Sequence, residues 1–179
     1  MTWESRLFAE LEELEQQAEG MFAAERDLEV AERARAEYAR VRMAARLMAA
    51  QGAEVSLRVT GVGEVPGRLA RVAEDWCLLD SGDQAWIIRL PAVAVARGLP
   101  PGAVPPEAWP VTARLGLGSA LRGLAESAAR CTVRLLDQTT YPAQLGRVGH
   151  DFVEATVGEG SGPVVVAFSS IAAVHARRD

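Results

Sequence analysis

The strongest constraint in this 179-residue chain is an internal repeat. A shift of 76 residues places Arg58 on Arg134, Pro66 on Pro142, Leu69 on Leu145, Arg71 on Arg147, Val72 on Val148 and Asp75 on Asp151. Past Asp80 the offset becomes 78, because residues 158–162 lengthen a glycine-rich hairpin tip; Leu90 then meets Phe168 and Val93 meets Ile171. Such a chain must run one supersecondary programme twice.

That programme is a helix followed by five short strands. Val55, Leu57 and Val59 alternate with Ser56 and Arg58, the period-2 pattern of a half-buried strand. Strands follow around Leu69–Val72, Asp75–Leu79, Trp86–Leu90 and Val93–Val95, separated by the glycine turn 61–67 and by Ser81-Gly82-Asp83-Gln84. Leu117, Leu121, Leu124 and Ala128 lie on one helical face just before the second strand set. Between the halves, the proline-rich stretch from Pro100 to Pro110 reads as a semi-rigid linker. The predicted class is α+β: a long N-terminal helical arm over residues 1–53, a small β-barrel over 54–99, a linker over 100–112, and a helix plus a second barrel over 113–179.

The arm is proline-free from residue 3 to 51 and rich in strong helix formers. Leu7, Leu14, Met21 and Leu28 recur every seven residues and Leu11 widens the stripe, which marks them as candidate association residues. Gly20 either divides the arm or is absorbed at about 1 kcal/mol. Two readings stand: a helix or helical hairpin packed on its own domain, or an intermolecular coiled coil. Glutamate dominates early and Arg33, Arg35, Arg40, Arg42 and Arg46 dominate late, so antiparallel copies would match acid against base.

The repeat resembles the Sm-like fold, a helix and five bent antiparallel strands closing into a small barrel. Gly67-Arg-Leu69-Ala-Arg-Val72-Ala-Glu-Asp75-Trp76 carries the likeness, and Ala143-Gln-Leu145-Gly-Arg-Val148-Gly-His-Asp151-Phe152 is its counterpart. The chain is also similar to short actinobacterial proteins, some labelled Fis-type transcriptional regulators, although its C-terminus reads as strands and not as a helix-turn-helix. The Sm-like resemblance implies ring assembly and RNA binding through two loops. One loop normally places an asparagine against a base, and this chain has no asparagine. The other carries Arg-Gly before the last strand; here Ile88-Arg89 is followed by Leu90, and the second half reads Val166-Ala167-Phe168.

Charge narrows the function further. All 19 basic residues are arginine, and the net charge of −5 argues against a generic polyanion binder. The balance is uneven: residues 1–30 carry −7 and the remainder carries +2. Arg58 and Arg134 face outward by strand parity, and with Arg71, Arg89 and Arg147 they are the candidate nucleic-acid or anion contacts. Asp75 and Asp151 read as structural turn residues forming Asx-type bonds, Trp76 and Phe152 as core, and Trp86 and Tyr141 as exposed rings able to stack. Cys77 and Cys131 read as reduced core thiols. His150 and His175 match no metal spacing, and no nucleophile has a base and orienting acid beside it, so neither cofactor, metal nor enzymatic activity is expected. The acidic N-terminus is unlike a signal peptide and no run reaches membrane-spanning length, so a cytoplasmic chain is expected. The expected function is a non-enzymatic scaffold associating with itself or another protein, the alternative an RNA- or DNA-binding regulator using outward arginines.

Overall fold

A computed structural model describes residues 3–158 and 162–177; the hairpin tip at 159–161 lies outside them. The chain divides into two units, Met1–Val41 and Arg42–Asp179. The first is a single helix, α1, Trp3–Tyr38, which runs through Gly20 without interruption. It ends in tight turns, with Arg40 N–H bonding to the Glu37 carbonyl and Val41 N–H to that of Tyr38. A separate short helix, α2 (Met43–Ala49), opens the second unit. The late arginines of the arm are therefore split: Arg40, Arg42 and Arg46 are not on α1.

Among its described residues the second unit contains ten strands: β1 (Glu54–Val59), β2 (Gly63–Val72), β3 (Trp76–Ser81), β4 (Gln84–Arg89), β5 (Val93–Arg97), β6 (Arg130–Leu135), β7 (Thr140–Val148), β8 (Phe152–Val157), β9 (Pro163–Ala167) and β10 (Ile171–Arg177). Helix α3 (Leu117–Glu126) precedes β6. All pairings are antiparallel. In β1 the burial alternates as the sequence predicts, with Val55, Leu57 and Val59 inward and Arg58 outward.

The repeat extends to individual backbone bonds. Leu90 N–H donates to the Asp75 carbonyl and Phe168 N–H to that of Asp151; Ala73 N–H donates to Trp76 and Gly149 N–H to Phe152. Thr60 N–H bonds to Ala92 just as Leu136 N–H bonds to Ser170. Each half also has its own helix against its long second strand, α2 on β2 and α3 on β7.

The expectation of two closed barrels is not met. The strands form one open sheet in the order β5-β1-β2-β3-β4-β10-β6-β7-β8-β9. Each half keeps the order fifth-first-second-third-fourth, but the fourth strand of the first half does not return to its own fifth. It pairs instead with β10, Trp86 opposite His175 and Ile88 opposite Ala173. A strand edge needs a partner for its N–H and C=O groups, and β10 supplies it.

Side chains reinforce this junction. Arg89 donates from Nε to the Ile171 carbonyl and from Nη2 to that of Ser169, both at 2.9 Å. The Trp86 and His175 rings stack with centroids 4.1 Å apart. Ala73, Trp76 and Ile87 from the first half join Leu117, Leu121, Val133, Leu145, Val153, Ile171 and Val174 in one buried cluster. Leu121 is fully buried, so truncating it to alanine should cost about 2–5 kcal/mol.

The proline-rich segment is packed rather than a bare spacer. Val104 N–H bonds to the Ala45 carbonyl at 3.0 Å, Arg46 donates to the carbonyls of Pro101 and Gly102, and Trp109 is buried with its indole N–H on Val104.

Candidate anion site

The five candidate arginines meet different fates. Arg89 is committed to the backbone carbonyls of the β4–β10 junction. Arg147 forms a two-pronged pair with Glu154, 2.9 Å at each prong, which holds its guanidinium more firmly protonated. Arg71 is exposed on β2, opposite Leu78. Of the five, Arg58 and Arg134, one of the two repeat-equivalent pairs, come together: both line one cleft of about 470 Å³ with Thr60, Gly61, Val62, Gly63, Ala94 and Gln138.

The approach depends on Gly61. Its φ is +77°, and a Cβ built there would lie 2.3 Å from the Leu135 carbonyl oxygen and 2.7 Å from that of Leu136. Only a glycine lets the β1–β2 turn sit directly on the backbone where β6 ends. The sheet thus curls until the first half's turn meets the second half's, carrying Arg58 to Arg134.

The electrostatics of the cleft are one-sided. Glu64 lies opposite Arg58 across the β1–β2 pair, but its carboxylate accepts from Ser56 Oγ at 2.7 Å and from Arg97 Nη1 at 2.8 Å. The Ser56 bond first, then the nearby Arg97 and Arg58 charges, hold its pKa below the usual carboxylate range. Asp137, beside Gln138, accepts the Thr139 N–H at 2.9 Å. Among the described residues, neither acid bonds either cleft arginine and no carboxylate lines the cleft. The Nε of Arg134 is buried with no hydrogen-bond partner among the described residues. Such an orphaned donor costs about 1–3 kcal/mol. Arg134 also acts on His175, whose pKa is depressed first by burial and then by that charge.

Several expectations change here. Trp86 and Tyr141 are not free rings: Trp86 stacks on His175, and Tyr141 packs against the buried cluster. Asp75 does not close a local Asx turn. Its Oδ2 accepts the Leu117 N–H at 3.2 Å at the start of α3, and Trp76 Nε1–H donates to the Leu115 carbonyl at 2.8 Å. Asp151, its counterpart, is exposed. The reason is positional: α3 follows the first half's strands and begins beside Asp75. Cys77 and Cys131 are buried free thiols, pushed by burial to about 12 and about 11, so the reactive thiolate is suppressed at neutral pH. Among the described residues, no cluster of His, Cys, Asp and Glu could hold a metal ion, and no helix is long and apolar enough to cross a membrane.

Of the association residues, Leu7, Leu11, Leu14, Met21 and Leu28 are all exposed on α1. Trp3, Phe8, Phe22 and Val30 are exposed beside them, and heptad counting from Leu7 missed these. The charge match expected of antiparallel arms is diminished, because Arg42 pairs with Glu74 at 2.8 Å and Arg46 holds Pro101 and Gly102. No protein-family model matches the chain, and no curated protein matches its sequence.

Proposed function

We propose that this chain is a non-enzymatic association protein that assembles through its outer strands, with α1 providing a second, helical contact. The observation that carries the reading is the β4–β10 junction. By the repeat, β9 corresponds to β4 and β5 corresponds to β10, so the two outermost strands are second copies of the two that already pair inside the chain. A β9 edge meeting the β5 edge of another copy would repeat that contact head to tail, and such a contact yields a ring if its rotation closes. The strand order within each half also fits the Sm-like reading, with open rather than closed units.

The internal register transfers to the new contact as Val95 opposite Val166, Ala96 opposite Val165 and Arg97 opposite Val164. Backbone parity agrees. Phe168 N–H points to β8, so the Val165 N–H points away from it; Thr60 bonds Ala92 and a bulge follows, which leaves the Ala96 N–H pointing outward. Pro163 lies on the same outward parity and supplies no N–H, which shortens the usable edge to the Val165 end. The exposed apolar stripe of α1 suits a partner helix, and its acidity favours a basic one.

Light scattering on the full chain tests the reading. The expected mass is a multiple of 19.1 kDa, falling to one chain for Val165→Pro or Ala96→Pro, each of which removes an outward N–H without touching an internal ladder bond. A monomeric wild type, or an assembly indifferent to both prolines, overturns edge pairing. An assembly lost only on Leu7→Glu with Leu14→Glu assigns association to α1 instead.

A further inference from the structure

We propose that the cleft between Arg58 and Arg134 binds a phosphate group. Four observations carry this, and none depends on how copies of the chain assemble. Arg58 and Arg134 come from different halves of the repeat and line one cleft of about 470 Å³. Neither has an ion pair among the described residues, and the nearby carboxylates of Glu64 and Asp137 are bonded to other groups. Arg134 Nε is a buried donor lacking an acceptor. Gly61, at φ +77°, is the residue that permits the approach, so the site is a product of close backbone packing rather than of two mobile surface side chains.

The geometry favours phosphate over carboxylate. A single guanidinium fork satisfies the two in-plane oxygens of a carboxylate. Two arginines on different strands, β1 and β6, suit a tetrahedral group, whose oxygens spread in three dimensions and can accept from both. Thr60 and Gln138 line the same cleft, and a hydroxyl and a side-chain amide are neutral donors. The cleft is open and larger than a phosphate ion, so the group can arrive as an ester on a small molecule or as part of a nucleic-acid backbone. The chemistry recognised is the same in both cases.

The test uses the full chain at constant ionic strength, with the arginine Nε–H resonances followed by NMR. Orthophosphate, adenosine monophosphate and a 12-nucleotide single-stranded RNA are titrated separately, with chloride as the control. A saturable shift of the Arg134 Nε–H is expected for phosphate. Arg58→Gln and Arg134→Lys should each weaken binding about tenfold or more, the lysine failing because it keeps the charge but lacks the planar guanidinium fork. Arg71→Gln should leave the affinity unchanged. Arg58 is exposed, so Arg58→Gln carries the test if Arg134→Lys does not fold. RNA binding about tenfold tighter than the mononucleotide, and lost with Arg58→Gln, assigns the nucleic-acid backbone as the source; equal affinities assign a small phosphate ester. No saturable shift with any probe, or equal affinity in wild type and Arg58→Gln, overturns the proposal.

Discussion

Gly61→Ala probes the contact between the two halves most directly, because a near-identical control lies two residues away. Gly61 and Gly63 both have positive φ, +77° and +107°. Alanine at either site meets the left-handed backbone penalty, about 1–2 kcal/mol. At Gly63 nothing lies within 4 Å of the new methyl, so the cost ends there. At Gly61 the methyl would sit 2.3 Å from the Leu135 carbonyl oxygen, roughly an ångström inside normal contact, and both partners are backbone. The turn or the end of β6 must move, which overpacking measurements place at about 1–3 kcal/mol beyond the conformational term. Gly61→Ala should therefore be destabilised by about 2–5 kcal/mol and Gly63→Ala by about 1–2. In urea denaturation, with a slope of about 2 kcal/mol per molar, the two midpoints should differ by about 0.5–1.5 M. Coincident midpoints would falsify the close approach, and with it the convergence of Arg58 and Arg134.

Asp75→Ala should lose the bond to the Leu117 N–H and cost about 0.5–2 kcal/mol, whereas Asp151→Ala should be near neutral; equal losses in thermal unfolding would show that α3 is not capped across the halves. His175 has a folded pKa below its ordinary 6.5. The unfolded chain therefore binds the proton more readily, and stability is complete above about 6.5 and declines as pH falls from there towards the folded value. His175→Phe should flatten that acid limb in melts recorded from pH 7 to 5, and an unchanged limb would remove His175 as its source. Cys77 and Cys131 should react with a disulfide reagent at pH 8 only as fast as the chain opens; a reagent-limited rate in native buffer would contradict their burial.

The helix-then-five-strands programme was legible because it rests on short-range physics. Alternating Val55, Leu57 and Val59 can bury one face only as a strand, and Leu117, Leu121 and Leu124 can share a face only as a helix. The 76- and 78-residue offsets aligned residues whose backbone bonds recur in the structure, as with Leu90 on Asp75 and Phe168 on Asp151. The end of α1 was not legible: residues 39–42 contain neither proline nor glycine, and α2 is distinguished by the burial of Ala44, Ala45, Leu47 and Met48, which no propensity reports.

Residue patterning alone carried the two tandem repeats and the outward parity of Arg58 and Arg134. How the two repeats join was left to tertiary contacts. An unpaired fourth strand satisfies its backbone equally well with its own fifth strand or with the equivalent strand of another unit, and the local pattern is identical in both cases. The side chains at the junction (Arg89 on the Ile171 and Ser169 carbonyls, Trp86 on His175) accompany the second choice here. That choice set the curl of the sheet, turned Arg89 from a candidate contact into a clamp, and brought Arg58 and Arg134 from different halves into one cleft.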